Sequence, residues 1–303
     1  MPLSYRSATD WPSELAPVVA IGNFDGVHAG HRAVLAELFA LGRALGAPSC
    51  VLTFDPAPTA LLAPARHQPR ISTLEDRVRL LHAAGVEAVV VEPFTRAFAA
   101  RSAEDFATGL LGRNLRVRGL VVGHDFRFGA GRAGDVAGLR AWLPACEIRE
   151  VSAFLADGSP VSSSRVRKLV ASGEVEAAAR LLGRPHRLGG PVVTGDQRGR
   201  TIGFPTANVA NVVELLPAFG VYAVRVEVEG VTRPGVANIG MRPTFNGTEL
   251  RVEVHLLDWS GDLYGRTLDV DLVARVRGEQ RFDGIDALVA QIRRDVEVAR
   301  RLA

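Results

Sequence analysis

Two histidines three residues apart, His28 and His31, end the stretch Gly22-Asn23-Phe24-Asp25-Gly26-Val27-His28-Ala29-Gly30-His31. It lies between a short apolar run at residues 17–21 and a helical pattern at about residues 30–45. On the first turn of a helix both imidazoles can reach one phosphate. The helix end adds N–H groups without helical partners and the positive pole of its dipole. Glycines at 22, 26 and 30 let the backbone approach a ligand closely. A lone His-x-Gly-His tetrapeptide is more often a surface turn, but its place directly after a buried run argues for phosphate chemistry.

A second glycine-rich stretch is Gly195-Asp196-Gln197-Arg198-Gly199-Arg200-Thr201-Ile202-Gly203-Phe204-Pro205-Thr206-Ala207-Asn208. Its glycines offer backbone N–H groups to phosphate. Thr206 and Asn208 place two oxygens on one side of an extended segment, which suits a hydrated Mg2+ held largely through substrate phosphates. By composition alone the stretch is more often a glycine-rich loop with a proline turn. A third feature is Arg251-Val252-Glu253-Val254-His255-Leu256-Leu257-Asp258. Strand alternation puts Arg251, Glu253 and His255 on one face and Val252, Val254 and Leu256 on the other. A carboxylate so placed can take a proton from an alcohol, although a single strand glutamate is ordinarily a solvated one.

These residues need two different frames. Up to about residue 182 the pattern alternates: strand-like runs at 17–21, 50–54, 88–91 and 119–122, helical stretches near 30–45, 73–84 and 103–112, then helices near 163–172 and 175–182. Short buried strands separated by helices predict a parallel sheet wound on both faces, with ligands at the carboxyl ends of its strands. Gly183-Arg184-Pro185 reads as a boundary, giving domains 1–184 and 185–303. Beyond it, runs at 221–229, 235–239, 250–257 and 267–276 follow without intervening helices, predicting an antiparallel barrel or sandwich. One terminal helix closes the chain, with Leu288, Val289, Ile292 and Val296 on one face. The proline-rich segment 57–70 reads as a mobile loop.

Composition bounds the function. The chain has 303 residues, 47% hydrophobic and 23% charged, with a net charge of +3 from 36 basic and 33 acidic side chains. That balance, with no arginine cluster interleaved with aromatics, gives no support to a nucleic-acid partner. No apolar run approaches the roughly 18 residues of a membrane span. The first twenty residues lack a secretory pattern, and Cys50 and Cys146 cannot form a disulfide framework or a CxxC site, so the expected location is cytoplasmic. Lys168, between Arg167 and Leu169, is the only lysine, which excludes a Walker A loop and a protein-kinase lysine.

The first stretch resembles the HxGH nucleotidyltransferases, and in its extended form the bacterial bifunctional riboflavin kinase/FAD synthetase family. Val122-Gly123-His124-Asp125-Phe126-Arg127-Phe128-Gly129 is similar to that family's flavin- and nucleotide-side loop, which implies flavin contacts for Asp125, Phe126 and Arg127. Val161-Ser162-Ser163-Ser164-Arg165-Val166-Arg167 resembles its ATP-phosphate signature, with Ser164 in place of the usual threonine. A serine run is also a helix N-cap signal, and the two readings are compatible. Gly203-Phe204-Pro205-Thr206-Ala207-Asn208 looks like the hallmark block of riboflavin kinases. Gly235-Val236-Ala237-Asn238-Ile239-Gly240-Met241-Arg242-Pro243-Thr244-Phe245, and the Glu253 strand with Gly261-Asp262-Leu263-Tyr264-Gly265, are similar to the blocks that follow.

The resemblance runs from about Val18 to Arg301. It implies an α/β chain: an N-terminal doubly wound parallel sheet, then a closed antiparallel β-barrel with a terminal helix. It implies ATP, riboflavin, FMN and FAD as substrates and products and Mg2+ as the metal, with the oligomeric state open. Thr206 and Asn208 then hold the metal with ATP, beside the Gly195 and Gly203 loop, and Glu253 is the base. Gly22, Phe24, Asp25, Gly30, Ser163, Ser164 and Arg167 surround the nucleotide of the first site, where His28 and His31 neutralise the α-phosphate.

Two departures stand out. Gly278 replaces a common proline, and Ala57 in Thr53-Phe54-Asp55-Pro56-Ala57-Pro58 stands where the family normally has a histidine of the adenylyl-transfer site. Alanine donates no hydrogen bond, so the alternative reading is a kinase whose adenylyltransferase half is weakened. A flavin-binding protein without turnover is the competitor from another class, and intact Thr206, Asn208 and Glu253 argue against it. If the missing histidine limits the first site, Ala57→His raises the rate of FAD formation from FMN and ATP. An unchanged or lower rate removes the reason to expect a weakened site.

Overall fold

The computed structural model describes residues 3–195, 198–244 and 247–303, apart from the side chains at 198 and 242–249. Contacts divide the chain into two compact units: Met1–Gln68 with Thr73–Ser162, and Pro69–Ser72 with Ser163–Ala303.

In the first unit, strands β1 (Leu3–Tyr5), β2 (Val18–Ile21), β3 (Ser49–Asp55), β4 (Ala88–Pro93), β5 (Gly119–Gly123) and β6 (Glu147–Val151) form one sheet. Its order is β1-β4-β3-β2-β5-β6, and every neighbouring pair is parallel. Successive residues of the central strands go to opposite faces. Val18, Ala20, Val51 and Val89 pack on Leu35, Leu38 and Leu41 of helix α1 (Ala29–Leu45) and on Leu81 of α2 (Leu74–Ala83). Val19, Ile21, Leu52 and Val90 pack on Phe106, Leu110 and Leu111 of a π-helix (Phe106–Asn114) and on Leu139 of α3 (Val136–Trp142). Two apolar layers make the winding double, as expected. The pattern did not reveal β1 and β6, which are edge strands with mostly exposed or half-buried residues, so neither shows an apolar run. The segment 57–70 is more ordered than its prolines suggest. It forms two short helical turns, Pro58–Leu62 and Pro64–Arg66, each begun by a proline at a position where its missing N–H costs nothing. A small hairpin, β7 (Leu155–Ala156) and β8 (Ser159–Pro160), ends the unit.

The second unit begins with α4 (Ser163–Ala171) and α5 (Val175–Leu182). Six strands follow: β9 (His186–Val193), β10 (Ala207–Val209), β11 (Gly220–Val228), β12 (Val231–Thr244), β13 (Gly247–Leu256) and β14 (Thr267–Gly278). They close into a barrel in the order β10-β13-β12-β11-β14-β9, all pairs antiparallel. Inward residues such as Tyr222, Val224, Val252, Val254 and Leu272 fill the barrel together with Val175 of α5. On the outer wall Val221, Ala223 and Val236 meet Val296 and Ala299 of the terminal helix α6 (Ile285–Leu302). Glu229 and Gly230, both at positive φ, make the tight β11–β12 turn.

The β11–β14 pair contains a close backbone approach. Gly220 has φ of +153°, and a Cβ there would sit 2.3 Å from the Arg277 carbonyl oxygen. Gly220→Ala is expected to cost about 2 kcal/mol or more, whereas Gly230→Ala, in open space, costs about 1 kcal/mol from its φ alone. Denaturant titrations compare the two, and equal costs would show that the Gly220 approach does not constrain the barrel.

Candidate functional site

The strand order of the first unit reverses between β2 and β5, and the loops after these two strands carry the His28 and Asp125 motifs. A crevice opens at such a reversal in a parallel sheet. After β2 the chain turns sharply, with positive φ at Phe24 (49°), Gly26 (82°) and Val27 (44°). Each non-glycine residue held so costs about 1–3 kcal/mol, which the surroundings must offset. The Gly22 N–H donates to the Leu52 carbonyl at 3.1 Å, the Thr53 hydroxyl donates to the Asn23 carbonyl at 3.1 Å, and the Phe24 ring is buried.

The turn delivers His28 to the N-cap of α1, where its Nδ1 accepts the His31 N–H at 3.3 Å. An accepting Nδ1 leaves the proton of the neutral ring on Nε2, so that edge is a donor. The two imidazoles stack at 3.6 Å, and Phe24 lies 4.9 Å from the His31 ring. Gly30 is needed for this arrangement, since a Cβ would meet the Val161 carbonyl at 2.8 Å and the His28 ring at 3.2 Å. Gly22, Phe24, Asp25, His28, Gly30 and His31 thus share one turn.

In the loop after β5, Asp125 and Arg127 are exposed and Phe126 stacks on Phe128 at 5.4 Å. Arg127 pairs at 2.9 Å with Asp135, the N-cap of α3. Behind the loop, the rings of Phe54, Phe94, Phe98, Phe106 and Phe128 form a connected series with centroid spacings of 5.2–6.2 Å. That series was not read from the sequence, although phenylalanines at successive strand ends were its signal. Also missed was Arg77 of α2, which is buried and donates to the Thr53 hydroxyl and the Phe54 carbonyl at 3.2 and 3.1 Å. Ala57 caps the Pro58–Leu62 turn through its backbone alone, and His67 bonds Thr59 at 3.2 Å. Ser163, Ser164 and Arg167 lie on α4 in the second compact unit, where the Arg167 Nε donates to the Pro69 carbonyl at 3.0 Å.

In the barrel, Asn208 stands opposite Glu253 across β10 and β13, and Asn238 of β12 faces Glu253 from the other side. Ala207, Val209, Val252 and Val254 point inward, so Asn208, Arg251, Glu253 and His255 are on the outer face. With Thr206 they line a cavity of about 480 Å³. Thr206 also borders a second cavity of about 510 Å³, beside Trp259, Asp262 and Tyr264. Arg251 donates to Glu253 at 2.9 Å, and the His255 Nδ1 lies 2.8 Å from the Pro205 carbonyl, fixing the residue before Thr206. A Cβ on Gly195 would lie 2.4 Å from the Asn208 amide, and Gly203 turns the chain at φ of +86°. Asp196, Gln197 and Phe245 of the motifs lie outside the described residues.

The far wall of the first cavity comes from residues the motifs did not include: Arg277, Phe282, Leu288, Ile292 and Asp295. An acid at 295, on the helix face set by Leu288 and Ile292, was the sequence signal. Among the described residues no group of three or more His, Cys, Asp or Glu could hold a metal ion.

Two family models match: FAD synthetase over residues 12–165 and riboflavin kinase over residues 182–303. The chain is also 46% identical over 93% of its length to the bifunctional riboflavin kinase/FMN adenylyltransferase of Escherichia coli K12, covering 91% of that protein. It belongs to the bifunctional riboflavin kinase/FMN adenylyltransferase family. The relative of that name in Pseudomonas fluorescens is 41% identical, over 96% of this chain and 94% of its own. A crystal structure titled as a macrolide-efflux protein from Streptococcus pneumoniae superposes with a TM-score of 0.90 at 32% identity, over 99% of each chain. That title and the family names disagree. No helix among the described residues is long and apolar enough to cross a membrane.

The Asp135 carboxyl is held below the usual carboxylate range, first by the Gly138 N–H at 3.0 Å and then by Arg127. A depressed folded value means that its support of the α3 cap and the Arg127 loop is complete above about pH 3.9, the unfolded value, and is lost as pH falls through the folded one. The Gly138 amide resonance should therefore titrate below the range of ordinary aspartates, and Asp135→Asn should abolish that titration. A Gly138 shift centred at the ordinary value would contradict the cap.

Proposed function

We propose that this chain phosphorylates riboflavin to FMN at the barrel cavity and joins FMN to AMP at the β2–α1 turn, giving FAD and pyrophosphate. The observation that carries the reading is the register of β10 on β13, which sets Glu253 opposite Asn208 on the wall that Thr206 also lines. The division of labour is 1–184 for adenylyl transfer and 185–303 for phosphorylation, in keeping with the family models that end at 165 and begin at 182.

In the barrel, the riboflavin 5′-hydroxyl oxygen bonds to the γ-phosphorus as its proton passes to Glu253. The bond from that phosphorus to the β,γ-bridging oxygen breaks, and ADP leaves. Arg251 keeps the Glu253 carboxylate in one orientation. The Thr206 hydroxyl and the Asn208 amide oxygen, the amide packed where a Gly195 side chain would otherwise lie, fit a Mg2+ bound mainly through phosphate. That ion would supply charge neutralisation at the phosphates. The Gly195 and Gly203 loop would bind ATP through its backbone.

In the first unit, an FMN phosphate oxygen bonds to the α-phosphorus, the α,β-bridging bond breaks, and pyrophosphate leaves without a proton transfer. The Nε2–H of His28, with His31 and the α1 N-terminus, meets charge developing on the α-phosphate. Ser163, Ser164 and Arg167 take the leaving pyrophosphate, and Asp125, Phe126 and Arg127 the flavin side. We place these reactions in the cytosol, with small-molecule partners; the unbridged Cys50 and Cys146 support this.

A time course with riboflavin, ATP and Mg2+, resolved chromatographically, tests the reading. FAD following FMN is the expected result. FMN accumulating without FAD, even when FMN is supplied, would favour the second reading that Ala57 motivates. Glu253→Ala should lower FMN formation about 100-fold or more while sparing conversion of supplied FMN to FAD. Equal loss of both activities would refute two independent sites.

A further inference from the structure

Asp295 is only 2% exposed, on the α6 face that also carries Leu288, Ile292 and Ala299, and it lines the Glu253 cavity. A carboxylate in such a place is costly unless it is paired. Both of its oxygens accept from the Arg277 Nε, at 3.1 and 3.0 Å, and Oδ2 also accepts from Nη2 at 2.8 Å. Oδ1 accepts in addition from the Gln291 amide at 2.8 Å, one helical turn away. The Arg277 Nη1 donates to the Gly278 carbonyl at 3.0 Å, and the guanidinium lies 5.6 Å from the Phe282 ring centroid. Arg277 is thus fixed on three sides while still bordering the cavity.

Packing alone does not account for this pair. A well-packed apolar pair of the same volume would tie α6 to β14 as well or better. An ionic pair at a cavity wall fits a different task, holding a planar donor in one place. We propose that Asp295, backed by Gln291, is a positioning residue for riboflavin phosphorylation: it fixes Arg277, with Phe282 against it, as the rigid polar edge of the flavin chamber. The inference rests on the kinase reading above. Isoalloxazine is flat and rimmed with carbonyl and ring-nitrogen acceptors, which a fixed guanidinium edge can meet. Thr206 and Asn208, assigned to ATP and metal, lie just before and on β10, not on β14 or α6, so the two substrates should respond differently to changes at Asp295.

The test combines steady-state kinetics with titration of riboflavin by quenching of its fluorescence, without ATP. Asp295→Asn should raise both the riboflavin Kd and its KM about tenfold or more, with the ATP KM and kcat changed less than about threefold. Gln291→Ala, which strips one bond from Asp295 without stranding a charge, should move riboflavin affinity the same way by about two- to threefold. Asp295→Asn combined with Arg277→Gln should be no worse than Arg277→Gln alone, because the acid acts through the arginine. A fall in kcat at unchanged riboflavin KM, equal rises in both KM values, or additive effects would overturn the proposal. Wild-type protein that binds riboflavin but forms no FMN would refute the kinase reading, leaving the titration to decide on Asp295. Wild-type protein that binds no riboflavin would refute both.

Discussion

The period of two along a β-strand governs the chemistry of the barrel. Its inside is filled with valine, leucine and tyrosine, so Asn208 on β10 and Arg251, Glu253 and His255 on β13 point outward. A single-residue slip of β13 would carry Glu253 into the apolar interior and bring Val252 or Val254 out. The outer wall of a barrel is open to solvent, and a reaction there needs a second surface to exclude water. α6 supplies that surface with Leu288, Ile292 and Val296 along its inner side. The terminal helix is therefore a wall of the Glu253 cavity as well as packing for β11 and β12.

In the first unit the corresponding constraint is burial of the sheet on both faces. β2 has no exposed side, so only its carboxyl end can present groups to a ligand. The strained turn at Phe24–Val27 is tolerable because Thr53, Leu52 and the buried Phe24 ring fix it from the neighbouring strand and the core. His28 gains a hydrogen bond in the process, and the same contact sets which edge of its ring can donate.

Much of this was legible in the residues. The helix after His28, the parallel strands at the centre of the sheet and the alternation around Glu253 follow from periodicity, because each buries a regular apolar face. The edge strands β1 and β6 were not legible, since an edge needs no apolar run. The contribution of Arg77 was hidden because the partners it anchors, Thr53 and Phe54, are more than twenty residues away along the chain. Arg277 and Asp295 lay outside the motifs for a similar reason: their pairing is a property of the closed barrel and its helix. Asp295 alone showed an anomaly, a charge where the helical period called for an apolar residue.

The segment Pro69–Ser72 belongs to the barrel unit although it is flanked on both sides by residues of the sheet unit. Arg70 bridges to Glu214, and its carbonyl accepts the Leu215 N–H at 2.7 Å. During synthesis residues 69–72 leave the ribosome long before Glu214 and Leu215 exist. That stretch can therefore take up its pairing in the barrel unit only after residue 215 has been made. The nascent chain must keep that short stretch available until most of the polypeptide has been made.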